Sequence, residues 1–403
     1  MKVLQINSIC GQGSTGRICT GIADSLKNSG DIPYIAYSLG YSTYPNSIKI
    51  CHNPIDYSIH NILSKISDSE GLHSISPTRF LINQIHSIQP DIIHLHTLHG
   101  HYINYKLLLE YINKTDVPVV LTLHDCWNFT GHCAHFDMYD CNKWKTECIE
   151  CKYLSAYPQS YFLDKSSRNF NLKKKLFTQL GDRLTIVPVS YWMENLVRQS
   201  FFYQQKIKTI HNGIDLKQFY PITNSKIKEE YGISGKYIVL GVAMPWSKYK
   251  GLPDFFALRK ILSEDYSIVL IGVSQEQISQ LPEGITGISR IDDVKKLVEF
   301  YSVANVLVNT TYCDNYPTVN LESIACGTPV ITYNTGGSPE ALSEDTGLVV
   351  EQGNVNKLGE SVQYLCNHLD KFSEYNCLKR AHNYFDKDIC FKEYIDLYKT
   401  ITK

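Results

Sequence analysis

The segment Asp314-Asn-Tyr-Pro-Thr-Val-Asn-Leu-Glu322-Ser-Ile-Ala-Cys-Gly327-Thr-Pro-Val330 decides the fold. The apolar run at 306–309 ahead of it reads as a strand that delivers the chain to a loop at 314–317. A helix over about 318–326 follows; Gly327 ends it, and Pro329 opens the next strand. The two carboxylates, Asp314 on the loop and Glu322 on the helix, can therefore point into one pocket at the carboxyl edge of a sheet. A carboxylate accepts two hydrogen bonds at once, which suits a vicinal diol of a sugar or ribose. After the next strand comes Gly336-Gly337-Ser338, whose backbone N–H groups are suited to cradling a diphosphate as a helix at Glu340 begins.

Outward from this unit the same alternation runs to both ends of the chain. Short apolar runs predict strands at 3–6, 33–37, 91–96, 117–124, 185–189, 208–210, 237–242, 267–271 and 329–333, with helices such as 18–29 and 294–303 between them. Continuous apolar runs with little alternation mark parallel strands buried on both faces. The fold class is α/β, with two Rossmann-like doubly wound domains. A chain of 403 residues exceeds what one core usually supports, and the turn-rich His211-Asn-Gly-Ile-Asp215 is its natural divide. The expected domains are 1–205, with a cysteine-rich loop at 126–160, then 206–385, and a closing helix at 386–403. Open parallel sheets bind ligands beyond the carboxyl ends of their strands, so the two domains are expected to face each other across a cleft.

Composition narrows the function. A net charge of −1 offers no field for nucleic acid. No apolar run reaches the roughly 18–20 residues of a spanning helix, and the N-terminus lacks the look of a signal peptide. Nine of the thirteen cysteines are scattered singly and, without an export signal, read as reduced thiols in a cytoplasmic protein, while the other four crowd into 133–151.

Gly11-Gln12-Gly13-Ser14-Thr15-Gly16 matches the dinucleotide fingerprint literally. The second strand, however, ends in Ser38-Leu39-Gly40-Tyr41 with no acid for a ribose, which argues against an NAD-linked oxidoreductase. A tight turn and a phosphate loop, with Gly13 and Gly16 at the close approach, remain. His94, His96, His99 and His101 crowd one strand end, where metal binding, acceptor binding and packing are all open, although no neighbouring acid or cysteine completes a metal set. His124 and Asp125 follow a strand, near Trp127. Cys133, Cys141, Cys148 and Cys151 fit a structural zinc, disulfides or unlinked thiols; only the last pair has zinc-knuckle spacing. Such a staple would rigidify a long loop without a core of its own. Arg168, Lys173-Lys174-Lys175 and Arg183, with Phe170 and Phe177, read either as a solvated helix face or as a peripheral membrane contact. Asp386-Lys387-Asp388 reads as surface, so a divalent metal is not expected in catalysis.

The acid-x7-Glu pattern followed by Ala-Cys-Gly-Thr-Pro-Val and Gly-Gly-x-x-Glu resembles glycosyltransferase family 4. Gly-Ser-Thr-Gly-Arg (13–17), Asp-Ile-Ile-His-Leu-His (91–96), Leu-His-Asp-Cys-Trp (123–127), His-Asn-Gly-Ile-Asp (211–215) and Lys-Gly (250–251) fall in that family's order. The resemblance implies a GT-B fold and a retaining hexosyltransferase that uses a UDP- or GDP-sugar. Its look is that of the enzymes of bacterial capsule, O-antigen and exopolysaccharide assembly, whose acceptors are saccharides or polyprenyl-diphosphate-linked oligosaccharides. It implies that Glu322 holds the ribose, and that Asp314 with the backbone at Asn315, Tyr316, Pro317 and Thr318 holds the donor sugar. Lys250 would neutralise the leaving diphosphate beside Gly337, and His124 would lie near the reacting carbon. His96, His99, Asp125 and Trp127 fall on the acceptor side. Two departures stand out: Asp314 replaces the usual Glu, and Lys248 is all that can replace an Arg absent from Ala243-Met244-Pro245-Trp246. The other reading is a non-catalytic, zinc-stapled module that binds sugar nucleotides or glycans.

Overall fold

The computed structural model describes residues 1–51 and 53–403. It divides into two compact units, residues 1–212 with 390–403, and residues 213–389.

The first unit is built on β1 (Lys2–Ile6), α1 (Gly13–Asn28), β2 (Ile32–Tyr37), β3 (Ser47–Lys49), α2 (Pro54–Ser67), α3 (Ile75–Ile88), β4 (Ile92–Leu95), α4 (Tyr105–Ile112), β5 (Val119–Leu123), α5 (Ser166–Thr178), β6 (Leu184–Pro188), α6 (Tyr191–Gln199) and β7 (Lys206–Ile207). All of its strand pairs are parallel, in the order β3-β2-β1-β4-β5-β6-β7. Every residue of β4, β5 and β6 is buried, as strands covered by helices on both faces must be. The strand expected at 208–210 is displaced to β7, although Lys208 and Ile210 still donate N–H bonds to Ile186 and Pro188.

The second unit holds α7 (Ile227–Glu230), β8 (Tyr237–Val242), α8 (Leu252–Ile261), β9 (Tyr266–Ile271), α9 (Gln275–Ile278), β10 (Ile285–Ile288), α10 (Val294–Val303), β11 (Val306–Asn309), α11 (Thr318–Ala325), β12 (Val330–Tyr333), β13 (Gly347–Val350), α12 (Val355–Cys366) and α13 (Glu374–Tyr384). Its parallel order is β10-β9-β8-β11-β12-β13. The helix expected at Glu340 is a single 3-10 turn, Ser338–Ala341. Of the acidic pair near the C-terminus, Asp388 is exposed, and Lys387 between the two pairs with Asp215 at 2.7 Å.

The C-terminal helix, Lys387–Ile401, completes the first unit's core. Phe391 seats against Gly21 of α1 so closely that a Cβ there would lie 2.2 Å from its ring. Tyr394 shares a hydrogen bond with Thr122 of β5 at 3.1 Å, and Tyr398 another with His94 of β4 at 2.7 Å. Phe391→Ala is expected to destabilise the protein by about 3–5 kcal/mol, read as a lower midpoint in denaturant unfolding.

Candidate active site

In each sheet the order of strands reverses once, between β1 and β4 in the first and between β8 and β11 in the second. Connections leave in opposite directions at such a point, so the loops past the carboxyl ends of these strands diverge and expose their backbone. The residues singled out from sequence lie past the ends of these strands and of their neighbours β5 and β12, with Glu322 on α11.

In the second unit, β8 leads to the 3-10 turn Lys248–Lys250, β11 to Asp314, and β12 to Gly336 and Gly337. Lys250 Nζ donates to Asp314 Oδ2 at 2.6 Å, with both side chains partly exposed. The turn is pinned from behind. Thr310 Oγ1 donates to the carbonyls of Lys250 and Gly251, and Tyr312 N–H donates to Tyr249 O. Gly251 has φ +69°, and a Cβ there would meet Thr310 O at 2.4 Å, so only glycine lets the two loops meet. Gly336 is tighter still: φ is +55° and a Cβ would lie 1.8 Å from Asp314 O.

Glu322 on α11 is 3% exposed and accepts a 2.9 Å hydrogen bond from Tyr301. It is a buried, hydrogen-bonded carboxylate, not a solvated one. Asn315, Tyr316 and Pro317 are buried, and Thr318 opens α11. Asn320 ties the helix to both neighbouring loops through Asn309 and Ser338. Lys248 is exposed, its ammonium 5.1 Å from the centroid of the Tyr249 ring.

In the first unit, Gly13 is the first residue of α1, with φ +60°, and Gly11 N–H donates to Gly16 O at 3.1 Å. Asn7 links this loop to the next strand end: its side-chain amide donates to Ile9 O, and its Oδ1 accepts from Thr97 N–H. β4 and β5 deliver the histidines. His96 Nε2 lies 3.1 Å from Gln5 Oε1, a pure acceptor, so this nitrogen carries the proton and Nδ1 accepts from His124 Nε2 at 3.0 Å. Burial, and then the neighbouring His94 and His124, push His96 well below the usual imidazole range, and burial lowers His124 to about 4. Both are neutral near pH 7.

Asp125 accepts from Trp127 N–H at 2.9 Å and pairs with His99 Nε2 at 2.7 Å. Burial opposes its ionisation, but the His99 charge and hydrogen bond overcome this and hold the carboxyl far below its ordinary value. Trp127 is buried at 1% exposure beneath Lys173, whose ammonium sits 3.3 Å from the ring centroid. The indole is thus core beneath the strand ends, not an acceptor-facing surface.

Other expectations are corrected. The four histidines of 94–101 go to four places: His94 to the C-terminal helix, His96 to His124, His99 to Asp125, and His101 to Glu70 at 2.5 Å. Carboxylates do stand beside this group, brought from Glu70 and Asp125 by the fold. Among the described residues, His60, Glu70 and His101 have donor atoms all within 4.8 Å of one another. These are engaged in hydrogen bonds: Gly71 N–H donates to His60 Nε2, and the N–H groups of Gly100 and His101 donate to Glu70 Oε1. Lys173 is buried and donates to the carbonyls of Trp127 and Thr130; burial lowers it to about 7. Phe170 and Phe177 are also core, so α5 presents neither aromatic to a membrane.

The cysteine-rich loop has a small core after all, with Phe136 stacked on Trp144 and Phe129 meeting the indole edge-on. Cys133, Cys141, Cys148 and Cys151 are free thiols lining one cavity of about 210 Å³. Burial raises Cys148 and Cys151 to about 11 each, with a further upward push from the neighbouring sulfurs. Gly131 N–H points at Cys148 Sγ, 3.2 Å away.

Tyr301, Thr310, Gln5, Asn7 and Glu70 went unmarked in the sequence. Each acts on a residue far along the chain, as Glu70 does on His101, and no local pattern announces such a partner.

A likeness to known proteins agrees with this geometry. The chain carries two glycosyltransferase domains: the Glycosyltransferase Family 4 model matches residues 41–218, and the Glycosyl transferases group 1 model matches residues 236–368. WcaC of Escherichia coli, named for colanic acid biosynthesis, is 25% identical over 376 residues, covering 89% of each chain. The N,N'-diacetylbacillosaminyl-diphospho-undecaprenol alpha-1,3-N-acetylgalactosaminyltransferase of Campylobacter jejuni is 27% identical over 47% of this chain and 53% of its own. HepE of Anabaena, solved with UDP and glucose, superposes with a TM-score of 0.69 over 99% of each chain at 15% identity. The fold is GT-B and the protein is a glycosyltransferase.

Acid weakens the protein through these sites. His60 and His124 are both lowered to about 4 by burial, against 6.5 when unfolded. Their contribution is complete above pH 6.5 and is lost as pH falls toward 4, at up to about 1.4 kcal/mol per pH unit for each. Urea midpoints measured from pH 7 down to 4.5 are expected to fall steadily.

Proposed function

We propose that the protein transfers a hexose from a nucleoside-diphosphate sugar to a growing bacterial surface polysaccharide, with retention of anomeric configuration. The observation that carries this reading is the 2.6 Å pair of Lys250 and Asp314 packed against the Gly336 turn. It puts a cation, an acceptor of sugar hydroxyls and close-approach backbone at one strand-end cluster. A bound donor exchanges this pair for two new ones: Lys250 with the diphosphate and Asp314 with a sugar hydroxyl. Glu322, held by Tyr301, takes the ribose.

Cleavage of the sugar–phosphate bond builds positive charge at the anomeric carbon and negative charge on the diphosphate. A fixed ammonium and preorganised N–H groups stabilise the latter without reorganisation. The acceptor hydroxyl attacks from the leaving-group face, and its proton passes to the departing phosphate oxygen. No divalent metal enters this scheme. UDP and GDP donors both fit it, and the HepE complex favours UDP. The Campylobacter relative, named for a diphospho-undecaprenol substrate, favours a lipid-linked acceptor at the cytoplasmic side of a membrane. In this scheme His124, neutral and fixed by His96, serves the donor sugar, the Asp125–His99 couple serves the acceptor, and Gly13 and Gly16 serve the donor phosphate.

A panel of UDP-, GDP- and ADP-sugars is expected to contain one that stabilises the protein, by about 2.7 kcal/mol at a hundredfold excess over Kd. Glu322→Ala should abolish that shift. Lys250→Ala should lower kcat for a radiolabelled donor about 10²–10³-fold. Absence of both stabilisation and turnover with every donor refutes the assignment; stabilisation without turnover points to a binding module.

We also propose that Cys133, Cys141, Cys148 and Cys151 hold a structural zinc. The shared cavity, and the Gly131 N–H directed at Cys148 in the manner of an outer hydrogen bond to a thiolate ligand, support it. Zinc binds sulfur at about 2.3 Å; among the described residues these sulfurs do not form a set within 4.8 Å of one another, so binding draws them closer. Elemental analysis should find about one zinc per chain, lost in Cys148→Ser together with thermal stability; a zinc-free, fully stable protein contradicts this.

A further inference from the structure

Helix α2 is inside out. Its inward side is polar: His60 and Ser64 are buried, and His60 is held at both ring nitrogens, by Gly71 N–H at 3.1 Å and Ser74 Oγ at 2.7 Å. Tyr57 meets the His101 ring edge-on at 5.5 Å. Its outward side carries Ile55, Ile59, Ile62, Leu63 and Ile66, each 38–61% exposed, in a stripe broken only by Ser58. A surface helix of a globular protein normally does the reverse.

The stripe continues beyond the helix. Tyr161 N–H donates to Lys65 O at 2.7 Å, which moors the 161–163 loop to the last turn of α2. That loop presents Tyr161, Phe162 and Leu163 at 47–75% exposure. Single exposed apolar residues are ordinary, but a continuous patch of eight is a contact surface.

Charge selects the occupant. Lys65 flanks the stripe on α2, and Lys165 and Arg168 follow the aromatic loop. Of the acids beside them, Asp68 is buried against His132, and Asp164 accepts the N–H groups of Cys151 and Ser166; Asp56 sits at the opposite end of α2. An apolar face with an aromatic tip and a cationic border matches the boundary of an anionic bilayer, where rings and aliphatic chains enter the acyl region and ammonium groups stay among phosphates. We propose that this face of α2 and the 161–163 loop dock the protein on an anionic lipid surface. The idea extends the lipid-linked acceptor reading, yet it stands on a different surface and is tested without catalysis.

The full-length protein is mixed with vesicles of phosphatidylcholine alone or with phosphatidylglycerol, and sedimented. It is expected to pellet with the mixed vesicles and only weakly with the neutral ones. Ile62→Glu combined with Phe162→Ser should reduce binding at least about tenfold, with the melting temperature kept, because both side chains already face solvent. Lys165→Glu combined with Arg168→Glu should erase the preference for phosphatidylglycerol. Failure of the wild-type protein to pellet with mixed vesicles overturns the proposal. So does a dimer that Ile62→Glu converts to monomer with vesicle binding intact, since a second copy would then be the occupant. Transfer to a water-soluble saccharide acceptor reads the transferase assignment separately.

Discussion

A strand buried on both faces has no side chain left for chemistry. The central parallel strands here are buried, so the groups available to a ligand are those just past the strand ends. That constraint explains why Lys250, Asp314 and Gly336 meet although three different strands supply them. It also explains the glycines at 251 and 336. Loops converging on one edge must touch backbone to backbone, and a single methyl group there would collide with a carbonyl.

The polar interior beneath the first sheet's edge follows the same logic. Gln5, His94, His96 and Thr122 point inward from strands where water cannot reach, so each must find a partner within the protein. The chain Gln5–His96–His124 satisfies that demand and fixes one tautomer of His124. On the second unit, Asp254 plays a comparable part, accepting hydroxyl bonds from both Tyr312 and Tyr333 and so bracing the exits of β11 and β12.

The central strands were legible because burial on both faces writes an unbroken apolar run. Ser47–Lys49, Ile285–Ile288 and Gly347–Val350 were not, being short sheet-edge strands with polar or glycine residues among them. The motif residues at 314–322 and 250–251 were legible as chemistry because their spacing is local. Their partners were not, since Tyr301 reaches Glu322 from another helix. Lysine run 173–175 misled for a related reason: a charged side chain reads as surface until a ring and two carbonyls are found to enclose it. Nothing in the sequence analysis marked α2, whose direction of facing is decided by Gly71 and Ser74.

The last helix gives the first unit an unusual dependence. Tyr398 meets His94 across 304 residues of sequence, and Tyr394 meets Thr122 across 272. During translation the first two hundred residues leave the ribosome with an apolar groove over β1, β4 and β5 that nothing nearby in the chain can fill. The second unit, lying between in sequence, has a core of its own. The amino-terminal half is therefore the later of the two to reach its finished state, and in the interval its bare groove is the surface on which a holdase chaperone has most to grip.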